Sequence, residues 1–184
     1  MAAAALVLLP AVAAATVVVQ LTLEEMTRKA PVVVRGTVVQ VQPRWSDVGG
    51  HIESWVELQV TDRVKGTVPA TLVVRVPGGT IGELTMSVAG APKFIPGQDT
   101  LLFLEPAVDA KGAFVLPAMA ASKVDFEPSP KVGEVRAFRH LDGLAFALPA
   151  GKLGPALRPV DGAEDLGTPR ELLARLRRAV GGGR

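Results

Sequence analysis

Between residues 32 and 105, apolar and polar positions alternate with a period of two, the spacing of half-buried strands. The second such segment is the cleanest: Ile52, Ser54, Val56, Leu58 and Val60 fall on one face, and Glu53, Trp55, Glu57, Gln59 and Thr61 on the other. The first carries Val32 and Val34 on even positions and Val39 and Val41 on odd ones, with Gly36 between them. Because a period of two fixes the face, this phase change predicts a bulge or sharp bend after Gly36, as a small barrel needs to turn its corner. Ser46-Asp47-Val48-Gly49-Gly50 joins the two segments as a hairpin loop. A third strand turns Leu72, Val74 and Val76 inward and ends at Pro77-Gly78-Gly79, and a fourth turns Leu84, Met86 and Val88 inward. The fifth, over 100–105, contains Leu101-Leu102-Phe103-Leu104, apolar on both faces, so it is expected to be covered on both sides.

Helical spacing flanks this run. Thr22 with Glu25 forms a capping box, Leu23, Met26 and Ala30 share a face, and Pro31 stops the helix. At the other end Thr168 is the N-cap, Pro169 the first helical residue and Glu171 the reciprocal cap. Leu172, Leu173, Leu176 and Val180 form the apolar face of that helix, which is expected to pack on the barrel. Weaker strands are predicted at 114–116, 123–126 and 135–140, and residues 149–169, with four Pro and four Gly, read as a loose crossing segment. The expected fold is mainly β: a small five-stranded OB-like barrel with a short N-terminal helix, a strand-rich extension and a C-terminal helix. A β-sandwich is the alternative. The expected units are a signal peptide over 1–15, the barrel over 16–127, a Pro/Gly-rich extension over 128–167 and a basic helix and tail over 168–184.

The first 19 residues carry no charge. Leu6-Val7-Leu8-Leu9-Pro10 followed by Ala11-Val12-Ala13-Ala14-Ala15 reads as a secretory signal cleaved after Ala13 or Ala15. The expected location is therefore secreted or periplasmic. The alternative is an uncleaved anchor over 1–19, the only reading in which the chain meets a membrane. The sequence of 184 residues has no Cys, which excludes disulfides, thiol catalysis and thiolate metal sites. Its net charge of +2 conceals an uneven distribution. Five Arg against Glu171 give residues 168–184 a charge of +4, leaving the rest at −2. Nucleic acid is disfavoured as a partner, because there is a basic tail but no basic stripe with aromatic support.

Three groups of residues carry a resemblance. They are Val34-Arg35-Gly36-Thr37-Val38; Val56-Glu57-Leu58-Gln59-Val60 running into Val64-Lys65-Gly66; and Pro96-Gly97 followed by Leu101-Leu102-Phe103. On these, residues 31–105 resemble the netrin-like domain, the OB barrel shared with tissue inhibitors of metalloproteinases. With Leu21 to Glu25 and the Val76-Pro77-Gly78-Gly79 turn, the chain also resembles exported bacterial proteins of unassigned function. The resemblance implies an OB barrel and, by analogy of fold, an inhibitor or accessory domain of a secreted metalloprotease. The inhibitors chelate the protease zinc through an N-terminal Cys. This chain has none, so no inhibitory residue carries over.

Chemistry is sparse. His51 lies near Asp47 and Glu53, and His140 near Asp142, but no Gly-x-Ser-x-Gly accompanies either, so no catalytic residue is assigned. Asp47, His51 and Glu53 lack the spacing of a zinc motif, and Gly78-Gly79-Thr80-Ile81-Gly82 has no following Lys-Ser or Lys-Thr. No metal or cofactor is expected. Trp45 and Trp55, the only tryptophans, flank the first hairpin and with His51 form the candidate binding surface. The expected function is that of an exported non-enzymatic barrel making protein–protein contact in the cell envelope or outside the cell. Its partner would be an unknown protein, a secreted protease among the candidates. The alternative is an OB module that stacks oligosaccharide or single-stranded nucleic acid on Trp45 and Trp55.

Overall fold

A computed structural model describes residues 15–47, 49–109, 112–129, 134–147, 157–160 and 162–182. The predicted leader up to residue 14 and much of the crossing segment lie outside the described residues. The chain opens with β1 (Thr16–Val19) and α1 (Leu23–Lys29), then two long strands, β2 (Val32–Trp45) and β3 (Ile52–Lys65). These are followed by β4 (Thr71–Pro77), the short hairpin β5 (Gly79–Ile81) and β6 (Leu84–Met86), then β7 (Asp99–Pro106) and β8 (Ala113–Val115). A 3-10 turn (Met119–Ser122) leads into β9 (Lys123–Pro128), β10 (Val135–His140), β11 (Leu144–Ala147), β12 (Leu157–Val160), β13 (Ala163–Asp165) and α2 (Pro169–Gly181).

Five strands close a ring. β2 pairs with β3 and β7, β3 with β4, β4 with β8 in parallel, and β8 back onto β7. Counted along the barrel the order is 1-2-3-5-4-1, the strand order of an OB barrel. The fold is mainly β, as the alternation implies. The fourth barrel strand is not the segment expected, however. Leu84 and Met86 sit in the β5–β6 hairpin outside the ring, Leu84 59% exposed, while β7 and β8 supply the fourth and fifth strands. A period of two marks an exposed hairpin as readily as a barrel strand, so alternation alone could not separate them.

The barrel interior holds Val32, Val34, Val38, Val56, Leu58, Leu72, Val74, Val76, Leu102 and Leu104. Val39 was expected among them but is 49% exposed, and Val41 is only partly buried. The register is irregular at Gly36, between Arg35 and Gly36, and again between Val33 and Val34 and between Val38 and Gln40; the change of face itself falls at the last of these, since Val38 keeps the inward phase. Gly36 has a separate role. A Cβ there would lie 2.5 Å from the Gln59 carbonyl oxygen and 2.8 Å from Leu58 Cγ, so two strands cross closely at this point.

β7 is covered on both sides, as its composition requires. Leu102 and Leu104 face the barrel interior, while Leu101 and Phe103 face a second core. That core is closed by Leu23, Met26 and Ala30 of the α1 segment and by Leu172, Leu173 and Leu176 of α2. Both predicted capping boxes form. The apolar face of α2 stops at Leu176; Val180 is exposed rather than part of it. Beyond β7 the sheet continues through β9, β10 and β13, and β1 pairs in parallel with β11 in a separate three-stranded sheet with β12. Among the described residues no helix is long and apolar enough to cross a membrane.

Candidate functional site

Two places gather chemistry. The first is the outer end of the β2–β3 hairpin and the adjoining face of β4. Register places Gln42, Trp55 and Arg75 in one row across β2, β3 and β4, with Arg44 opposite Glu53 in the next. The two guanidinium groups stand over the Trp55 ring at 4.8 Å (Arg44) and 5.8 Å (Arg75), within cation–π range. The Trp55 indole N–H donates to Glu53 Oε1 at 2.7 Å, and Arg75 donates to Glu53 Oε2 at 2.6 Å and to Asp109 at 2.7 Å. Trp55 is thus already engaged on its faces and at its nitrogen.

Trp45 differs. It pairs in register with Ile52, and Gln42 with Trp55, so the two tryptophans project from opposite faces of one hairpin. Trp45 is 51% exposed at the hairpin's outer end. His51 lies in the connecting loop, half-buried, its carbonyl accepting from the Ser46 N–H at 2.8 Å. Glu53 is committed to Arg75 and Trp55, so Asp47, His51 and Glu53 do not assemble as a ligand set. The glycine-rich turn after Pro77 serves packing. A Cβ on Gly79 would meet Ser54 Oγ at 2.7 Å, where β5 crosses the hairpin.

The second place is a cleft of about 270 Å³ between the 91–98 loop and the strands β9 and β10. Alternation along β9 sends Val124 and Phe126 into the helix-covered core and turns Lys123, Asp125 and Glu127 to the cleft. Lys123 Nζ lies 2.5 Å from both Asp125 oxygens and 3.3 Å from Gln98 Oε1, and 4.9 Å from the centre of the Phe94 ring. Both charged side chains are only 5% exposed. Burial pushes the Lys123 ammonium below its ordinary pKa and the Asp125 carboxyl above its own, each opposed by the charge of the other. His140 Nε2 is 3.1 Å from Glu127 Oε1 at the mouth, where Asp142 also lines the cleft. The ligand atoms of Asp125, Glu127 and His140 all lie within 4.8 Å of one another.

No family model and no curated protein matches this chain. The site must therefore be read from its own geometry.

The cleft residues were missed by sequence reasoning. Lys123-Val124-Asp125-Phe126-Glu127 alternates as a strand with a solvated charged face would. The signal of burial lies elsewhere, in the loop carrying Phe94 and Gln98. Of the two histidines, His140 belongs to this cluster, while Asp142 donates nothing to it and accepts from the Gly162 N–H at 2.8 Å.

Proposed function

We propose that the chain is an exported, non-enzymatic recognition domain, netrin-like in its barrel, that acts through protein–protein contact at the outer end of the β2–β3 hairpin. The observation that carries this reading is Trp45, a large aromatic half exposed at the end of two 14-residue strands. Tryptophan is among the residues most enriched where truncation costs an interface most. The rigid ladder behind it lowers the ordering cost of binding. The OB strand order is what the netrin-like resemblance implies, and so supports it at the level of topology.

The stacking alternative is less well supported. A chain of bases or sugars reads successive aromatic faces, and these two tryptophans face opposite ways, with Trp55 covered by arginine. Arg75 there is also neutralised by Glu53 and Asp109, which leaves Arg44, hydrogen-bonded to the neutral Gln42, as the arginine of this face that could attract a phosphate.

A photo-crosslinking residue placed at position 45 tests the proposal in a bacterial host that exports the protein. A discrete covalent adduct with one envelope or secreted protein is expected at position 45 and not at Thr71 on β4. Trp45→Ala should weaken binding to that partner by about 30-fold, the loss of a 2 kcal/mol contact. No adduct at position 45, together with a tryptophan emission shift on titration with oligosaccharides or oligonucleotides, would replace this reading with the stacking one.

A further inference from the structure

We propose that Asp125, Glu127 and His140 form a binding site for a divalent transition ion of the Zn²⁺ class, at the mouth of the cleft between β9, β10 and the 91–98 loop. This site is independent of the hairpin surface. Its donors come from two adjacent antiparallel strands: Asp125 and Glu127 lie within the ladder, opposite Phe138 and Arg136, and His140 lies two residues beyond its end, held by pairing with β13. His140 and Glu127 are already 3.1 Å apart, and the third ligand atom lies within 4.8 Å of both. Tetrahedral coordination with bonds of about 2.1 Å brings ligand atoms to about 3.4 Å from one another. Closing the set therefore asks for a movement of up to about 1.4 Å, within the reach of a carboxylate rotation.

Charge points the same way. The cleft is lined by the carboxylates of Asp125, Glu127 and Asp142 and by the ammonium groups of Lys123 and Lys93. Lys123 is held by Asp125, and Arg136, opposite Glu127 in the ladder, is held by Glu134 and Asp165, so the direct side-chain contact of Glu127 among the described residues is the His140 imidazole, although it also feels the Lys123 charge. A cation already occupies this end of the cluster: the Lys123 ammonium contacts both Asp125 oxygens. Asp125 can keep one oxygen on Lys123 and turn the other to a metal, so the buried ion pair survives binding. The donor set selects the ion. One imidazole nitrogen with two carboxylates favours Zn²⁺ and its neighbours over Mg²⁺ and Ca²⁺, which take oxygen ligands in larger number. Three protein ligands leave a fourth position facing the cleft, open to water or to a donor from another molecule.

The chain suits a clean test, since it has no Cys and only two His. Purified protein without a histidine tag is titrated with ZnCl₂ by calorimetry, while the two imidazoles are followed by NMR. One site is expected, with the His140 ring signals shifting and those of His51 unmoved. His140→Ala should lower affinity at least tenfold, and Glu127→Gln should lower it as well, while His51→Ala should leave it unchanged. MgCl₂ and CaCl₂ at the same concentration should not compete. The proposal is overturned if both histidines respond in parallel, if His140→Ala binds Zn²⁺ like the parent, or if Ca²⁺ displaces Zn²⁺ at equal concentration. His140 is nearly half exposed at the cleft mouth, so its truncation leaves the fold intact.

Discussion

Removing one member of the Lys123–Asp125 pair should cost several kcal/mol, and removing both should cost little. Each side chain is 5% exposed, so neither charge is solvated once its partner is gone. A buried pair broken on one side typically costs about 3–5 kcal/mol, whereas apolar replacement of both is often neutral or stabilising. The ceiling can be worked out, because an orphaned group can always neutralise itself. At pH 7 protonating an aspartate of ordinary pKa costs about 4 kcal/mol, and deprotonating a lysine about 4.6 kcal/mol, at 1.36 kcal/mol per unit. The two single variants therefore have opposite pH dependences. Asp125→Ala leaves Lys123, whose pKa burial lowers, so the unfolded chain holds more protons and stability recovers as pH rises. Lys123→Met leaves Asp125, whose pKa burial raises, so stability recovers as pH falls. Each slope should approach 1.4 kcal/mol per pH unit. In Asp125→Ala, Gln98, the Phe94 ring and the Glu127 charge still support the Lys123 ammonium, whereas in Lys123→Met the Thr100 hydroxyl supports the Asp125 carboxylate and Glu127 opposes it, so Asp125→Ala should be the milder change near neutrality. Urea unfolding between pH 5 and 9, with chelator present, measures all three variants; the double variant Lys123→Met/Asp125→Leu should lie within about 1 kcal/mol of the parent. Single-variant losses below 1 kcal/mol with no pH slope would refute the argument, since the pair would then be hydrated.

Leu58→Ala should destabilise by about 2–5 kcal/mol, because the side chain is fully buried inside the barrel; a melting temperature unchanged by Leu58→Asp would show the β3 register to be wrong. Gly36→Ala should cost about 1–3 kcal/mol in the same assay, since the added Cβ meets the Gln59 carbonyl as well as the movable Leu58 side chain. Backbone and hydroxyl bonds from Thr22 and Thr168 hold the Glu25 and Glu171 carboxyls below the ordinary glutamate range. Stability should therefore fall as pH drops below that range, and the slope should flatten in the Glu25→Gln/Glu171→Gln double variant. Expression in an exporting bacterium should yield an intact mass beginning at Ala14 or Thr16, and a full-length mass in the cytosol would refute export.

Much of the barrel was legible because its signals are local. β3 writes its burial directly, Ile52 to Val60 in alternation, and the four apolar residues of β7 announce cover on both faces. Capping boxes are local too, and both helices start where Thr22 and Thr168 place them. What could not be read is non-local. β8 is three residues long, and it closes the ring through parallel pairing with β4, a contact no sequence period encodes. Gly36 marks one irregularity in the β2–β3 ladder, but the face change falls at another, between Val38 and Gln40, which only the pairing with β3 reveals. For the candidate sites the same division holds. Exposure of Trp45 follows from its place at the hairpin end. Its separation from Trp55 follows from a register that only the folded pair reveals. Burial of Lys123 and Asp125 depends on a loop some 25 positions earlier in the chain.

Packing of α1 against α2 bears on when the protein can fold. Leu23 and Met26, among the first described residues, share a core with Leu172 and Leu176, among the last. Arg177 on α2 pairs with Asp62, 115 positions upstream. The outer face of β7, with Leu101 and Phe103, is only partly covered by the α1 segment and by β9 and β10 until α2 arrives. This core cannot be completed until α2 has been made and has left the ribosome. It stays open while every earlier element is synthesised, and closes once the helix can reach back to the outer face of β7.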